Sequence, residues 1–218
     1  MPGGIAASRG FLLAVLAALA VTGCGTDEGA ADEASTPAPS TPSGTSAAAE
    51  DDEDAASASF RGPDGAERGT VELDFDDDGT TVVVEATGLT PGPHGFHIHA
   101  IGTCEPDSPD PATPANTGDF LSAGGHLAKE GQVHSGHDGD LSSLMARADG
   151  TASLTVTTDT LRAEDVLDGD GSAAMIHALA DNFSNIPERY APGGPDEMTN
   201  RTGDSGGRVA CAELTPNS

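Results

Sequence analysis

Apolar and polar residues alternate one for one where Val71, Leu73 and Phe75 are separated by Glu72, Asp74 and Asp76. Side chains two apart on a strand share a face, so this alternation marks a strand half buried against a core. Asp77-Asp78-Gly79 supplies a turn before Thr80-Thr81-Val82-Val83-Val84-Glu85-Ala86, and residues 70–86 are predicted to form a β-hairpin. Shorter strands are predicted at 95–99, 143–148, 151–157, 173–178 and 207–212, with Asp149-Gly150 joining the second and third of these. Two long polar segments, at about 101–142 and 179–206, lie between them and are rich in Gly, Pro, Asp and Asn. Loops of that length are uncommon inside a compact domain and usually carry function or are pinned. Residues 57–214 are therefore expected to be all-β, an antiparallel Greek-key barrel or immunoglobulin-like sandwich of about eight strands with two long functional loops.

The first quarter of the 218-residue chain has another character. Arg9 precedes an apolar run from Phe11 to Val21 that is too short to favour a membrane span, and small residues follow it. Residues 1–23 read as a signal peptide. Val21-Thr22-Gly23-Cys24 resembles the lipobox of bacterial lipoproteins, which implies that Cys24 is lipidated and becomes the first mature residue; an ordinary secretory peptide cut nearby is the alternative. Residues 24–56 are almost entirely Ala, Ser, Thr, Pro, Gly, Asp and Glu, with no apolar surface to offset the entropy of ordering. They read as a tether spanning roughly 30 Å. The expected location is outside the cytoplasm, on the membrane of the cell envelope through the Cys24 anchor, and residues 215–218 read as a tail.

A formal charge of -27 speaks against nucleic acid or anionic lipid as partners, since both require basic patches. With Cys24 assigned to lipid, Cys104 and Cys211 remain as a pair, and a disulfide between them is expected in an oxidising compartment; two buried free thiols are the alternative. The sequence leaves monomer and homodimer equally open.

All seven histidines fall between residues 94 and 177. Gly95-Phe96-His97-Ile98-His99 places two imidazoles on one face of a predicted strand, where they can converge on copper or zinc. Taken together, His94-Gly95-Phe96-His97-Ile98-His99, Gly102-Thr103-Cys104-Glu105-Pro106, Gly124-Gly125-His126, His137-Asp138-Gly139-Asp140-Leu141, His177-Ala178-Leu179-Ala180-Asp181 and Gly206-Gly207-Arg208-Val209-Ala210-Cys211 resemble, in order, the motifs of copper/zinc superoxide dismutase. The resemblance covers about residues 57–214, and the later part, including Asp181-Asn182-Phe183-Ser184-Asn185-Ile186-Pro187, is similar to the lipoprotein branch of the bacterial enzymes.

That resemblance implies a redox enzyme acting on superoxide. It implies copper held by His97, His99, His126 and His177, with His126 bridging to a zinc completed by His134, His137 and Asp140. It also implies a supporting carboxylate in Asp181, a structural role for His94, and an anion-guiding Arg208, with Arg201, Thr202 and Lys129 as further candidates along the channel. His134 and His137 stand only three apart, where the family usually has a longer insertion, and such a loop has less freedom to present its ligands tetrahedrally. Zinc is thus the less secure of the two metals. Two other readings stay open from sequence: a copper-binding lipoprotein without turnover, and a β-sandwich that has lost its metals.

Overall fold

The computed structural model describes residues 55–216. The signal peptide, Cys24 and nearly all of the tether lie outside the described residues. Among the described residues eleven strands occur, in the order β1 Ala55–Arg61, β2 Glu67–Asp76, β3 Gly79–Ala86, β4 Gly92–His94, β5 Phe96–His99, β6 Ser108–Pro109, β7 Thr117–Gly118, β8 Leu144–Ala146, β9 Ala152–Thr158, β10 Ser172–His177 and β11 Arg208–Pro216. Two single-turn α-helices among the described residues, α1 Ala163–Val166 and α2 Thr199–Thr202, and a 3-10 turn at Leu121–Ala123 sit in connections.

Seven strands form one sheet in the order β5-β10-β11-β1-β2-β3-β9, and every pairing is antiparallel. The non-consecutive neighbours β3 with β9, β5 with β10, and β11 with β1 are the crossovers of a Greek-key fold. β4 runs into β5 and pairs with β8, which turns through Asp149-Gly150 into β9, so the sheet curls toward closure. If β4 and β5 count as one strand broken at Gly95, and the two-residue β6 and β7 are set aside, the body of the fold has the eight antiparallel strands expected.

The alternation read in β2 is realised: Val71, Leu73 and Phe75 are buried and the acids between them are exposed. Strand β1 is not among the strands the sequence predicts, and it takes in Ala55 and Ala56 from the end of the expected tether. Its Ala- and Ser-rich sequence looks like linker, yet Ala56 pairs with Leu73 and Pro216, and Phe60 is fully buried. Across β5, β10 and β11, Phe96, Ile98, Ala174, Ile176, Ala210, Ala212 and Leu214 point into the main core. Their alternates point to the other face. There Ala173, Met175 and Cys211 meet Phe120, Ala123 and Cys104 in a second, smaller core beneath the 101–142 loop. Every residue of β5 and β10 is consequently buried.

One group in this layer is unbalanced. The Ser172 hydroxyl is fully buried without a hydrogen-bond partner among the described residues. Such a hydroxyl costs on the order of 1 kcal/mol or more, so Ser172→Ala is expected to raise the melting temperature by roughly 2–4 °C. A lower melting temperature in calorimetry would mean that the hydroxyl is satisfied after all.

Candidate metal centre

His97 and His99 leave β5 on the face opposite Phe96 and Ile98, as strand periodicity requires. The free edge of β5 is covered by the long loop. Leu127 N–H donates to the Ile98 carbonyl, Ile98 N–H to that of Gly139, and Ala100 N–H to that of Gly125. These bonds satisfy an otherwise open strand edge and bring His126 opposite His99 and Asp140 opposite His97. His177 arrives at the end of β10, where the register with β11 shifts and its N–H donates to the Gly95 carbonyl. Gly95 is required here because a Cβ would run into Ser205.

Two ligand groups result, His97, His99, His126 and His177 in one and His97, His126, His134 and Asp140 in the other, with the donor atoms of each within 4.8 Å of one another. His97 and His126 belong to both. His137 stands at the margin of the second group, its Nδ1 3.2 Å from Asp140. The short spacing therefore brings His134 and His137 to the same carboxylate, His134 Nδ1 lying 3.0 Å from Asp140 Oδ2.

Hydrogen-bond partners assign the tautomers. His99 donates from Nδ1 to the Gly124 carbonyl at 2.9 Å and His177 from Nδ1 to the Gly206 carbonyl at 3.3 Å. Their Nε2 lone pairs then face each other at 3.4 Å. His97 donates from Nε2 to Asp181 Oδ2 at 2.7 Å, and His126 from Nδ1 to Asp140 Oδ1 at 2.7 Å. This leaves His97 Nδ1 and His126 Nε2 buried with no partner among the described residues. Four imidazole lone pairs thus converge in one buried site with no N–H or O–H donor to meet them among the described residues. A cation is what such an arrangement fits, and the all-nitrogen set suits copper. The second group mixes nitrogens with a carboxylate, a donor set that suits zinc.

Asp181 ties the two groups together. It accepts from His97 and, at 2.8 and 2.9 Å, from His134 Nε2, while the Phe183 amide donates to its Oδ1 at 2.7 Å. The Phe183 ring stacks on His134. Gly203, in the left-handed conformation that ends α2, packs against the Asp181–His134 pair so closely that a Cβ would collide with both. Sequence reasoning missed this glycine, since its role depends on a tertiary approach. His94 engages both ring nitrogens elsewhere, with the His177 carbonyl at 2.6 Å and the Thr90 carbonyl at 2.8 Å, which fits the structural role expected of it.

Arg208 opens β11 and donates to the carbonyls of Phe120 and Gly124. Gly124 O therefore serves His99 and Arg208 together. The Cys104–Cys211 disulfide closes 107 residues and holds this loop against β11. A cleft of about 630 Å³ leads to the His99, His126 and His177 side of the site, and Arg208, Arg201 and Thr202 line it. Lys129 is not among the lining residues; it pairs with Asp138 at 2.7 Å and Asp165 at 3.5 Å. The cleft also holds Asp110, Asp119 and Met198, none of which the sequence marks out.

The sequence profile of copper/zinc superoxide dismutase matches residues 67–214. The chain belongs to the copper/zinc superoxide dismutase family. A Superoxide dismutase [Cu-Zn] of Mycolicibacterium paratuberculosis is 48% identical over 163 residues, 71% of this chain and 71% of that protein. One of Mycobacterium tuberculosis is 48% identical over 160 residues, 70% of this chain and 66% of that protein. The crystal structure of a double mutant of a SOD-like protein from Bacillus subtilis superposes with a TM-score of 0.56 at 31% identity, covering 73% of this chain and 96% of that one.

Electrostatics divide this dismutase-family site into two halves. Burial holds His99 and His177 well below the usual imidazole range, and lowers His97 despite its bond to Asp181. Burial also brings His126 down to about 4, with Asp140 offsetting only part of the effect. His134 goes the other way: burial lowers it, but the carboxylates of Asp140 and Asp181 outweigh burial and raise it to about 9. Those two carboxyls in turn lie well below their ordinary range, because the imidazoles overcome the effect of burial. Burial lowers Arg208 to about 10, and the guanidinium stays charged at neutral pH.

Proposed function

We propose that this chain is a working superoxide dismutase of the cell envelope, carried outside the cytoplasm and anchored to the membrane by lipid on Cys24. The observation that carries the catalytic part is the convergence of four imidazole lone pairs at the end of a cleft lined by Arg208, those of His97 and His126 without a partner among the described residues and those of His99 and His177 facing each other. In this reading His97, His99, His126 and His177 hold copper, while His126, His134, His137 and Asp140 hold zinc. Copper would supply one-electron exchange, taking an electron from one superoxide and giving it to the next.

The chain's own residues do the rest. Arg208, fixed on two carbonyls, draws the anion to the His99 and His177 side of the site. His126 carries the proton at Nε2, taking it up in the half-reaction that yields dioxygen and delivering it in the half-reaction that yields hydrogen peroxide; the second proton comes from water. Asp181 keeps His97 and His134 in the tautomers that aim Nδ1 inward. A copper-binding protein without turnover would leave Arg208 and the cleft with no task.

Arg208→Ala tests the assignment. In the metal-loaded protein it is expected to lower superoxide consumption about tenfold or more at low salt with metal content unchanged, and Arg208→Lys is expected to restore part of the rate. An Arg208→Ala rate equal to wild type at low salt would remove the arginine from the reaction. Absence of superoxide consumption by the metal-loaded wild type would remove the reaction itself.

A further inference from the structure

The charged side chains lining the cleft are two cations, Arg201 and Arg208, and two acids, Asp110 and Asp119. Their formal charges cancel, so these four side chains together give an anion no net pull toward the site. Asp119 is exposed, whereas Asp110 is half buried and held in place. Its Oδ1 accepts from the Ala112 amide at 2.8 Å and the Thr113 amide at 3.3 Å, and its own N–H donates to the Asn116 carbonyl at 3.0 Å. The β6–β7 pair closes the base of this turn. Partial burial works against ionisation of Asp110, but the two amides, the Thr113 hydroxyl and Arg201 overcome it and keep the carboxyl below its ordinary range. Its charge is also felt by Arg208. The cleft therefore carries a fixed negative charge opposed to both guiding cations.

We propose that Asp110 is a specificity residue of the cleft, a pinned carboxylate that tempers the pull of Arg201 and Arg208 so that a singly charged anion passes while multiply charged anions are kept off Arg208. The proposal rests on the reading of the cleft as the superoxide channel. Its physical basis is that the repulsion from one fixed charge scales with the charge of the incoming anion. Whatever factor Asp110 imposes on a monoanion, a dianion of similar path meets roughly the square of it. For a separation on the order of 8 Å in a water-filled cleft at low ionic strength, the factor is about two for a monoanion and about four for a dianion. Selectivity by charge is thereby gained at the cost of some attraction for the substrate.

Asp110→Asn tests this in the full-length, metal-loaded protein, because Asn keeps the side-chain oxygen that the Ala112 and Thr113 amides require. Azide binding is read from the copper visible and EPR spectra, sulfate binding from its competition with azide, and superoxide consumption from low to high salt. The variant is expected to bind azide about twofold more tightly and sulfate about fourfold more tightly at low salt. Its superoxide rate is expected to rise about twofold there, and all three gains are expected to fade at high salt. Equal changes for azide and sulfate, or none, overturn the proposal. If the wild type binds both anions but consumes no superoxide, the dismutase reading fails and the sulfate-to-azide ratio still decides the role of Asp110. Asp119→Asn serves as the comparison, with a smaller change expected from its exposed charge.

Discussion

Replacing Cys104 and Cys211 together by serine is expected to lower the melting temperature of the domain by about 10–20 °C and to depress superoxide consumption in the folded fraction. Opening a 107-residue loop releases chain entropy in the unfolded state, which in the loop-closure model is worth about 5 kcal/mol. For a domain of this size each kcal/mol corresponds to roughly 2–4 °C. The activity loss has a local origin. Cys104 and Cys211 pack with Phe120, Ala123, Ala173 and Met175 in the smaller core, and Glu213 accepts from the Cys104 amide at 2.8 Å. The carbonyls of Phe120 and Gly124 that station Arg208 belong to the loop this bridge holds. Melting curves must be compared at equal metal loading, because bound metal adds its own stabilisation. A drop of less than 5 °C, or full activity at low salt in the double serine variant, would show that the small core holds the loop without the bridge.

The parts of this molecule that the sequence exposes are those that depend on short-range periodicity. Alternation announces β2, the Asp77-Asp78-Gly79 turn and the Thr/Val run after it announce β3, and the two-residue step from His97 to His99 announces that both rings leave β5 on one face. β1 escapes such reading because alanine and serine carry little β signal, and its pairing with β2 and β11 is what makes it a strand. The ligands on the long loop are legible through motif resemblance, not through periodicity, since loop backbone at Leu127 and Gly139 brings them to β5.

What stays hidden depends on tertiary approach. Asp110 is one acid among 36, and only the folding of the 101–118 turn puts it on the cleft wall. Arg201 and Lys129 looked alike in sequence, yet one lines the cleft and the other is paired with acids elsewhere. The shortened spacing from His134 to His137 bears on a single zinc ligand. His126, His134 and Asp140 gather in one group, and His137 is the ligand at its margin.

The metal-free protein is expected to be most stable near pH 6.5 and to lose stability on both sides, for reasons set by opposite shifts within one site. His126 titrates at about 4 in the folded chain against 6.5 unfolded, so its contribution is fully present above 6.5 and is lost as the pH falls toward 4. At pH 5 that loss is about 2 kcal/mol for His126 alone. His97, His99 and His177 are shifted in the same direction and steepen the fall. His134 runs oppositely: raised to about 9, it contributes fully below 6.5, and its contribution disappears as the pH climbs through 9. Asp140 and Asp181 add a further loss below about 4, where their carboxyls begin to protonate in the unfolded chain. Zinc, by contrast, must take the place of the His134 proton, so its uptake is expected to strengthen from pH 6.5 to 9 while the metal-free fold weakens. Calorimetry of chelator-stripped protein at pH 5, 6.5 and 9, paired with zinc titrations at the latter two, reads both trends. A metal-free melting temperature that stays level from pH 6.5 to 5 would show that the four copper-side imidazoles are not held neutral by burial. A zinc affinity independent of pH would show that no proton sits between Asp140 and Asp181.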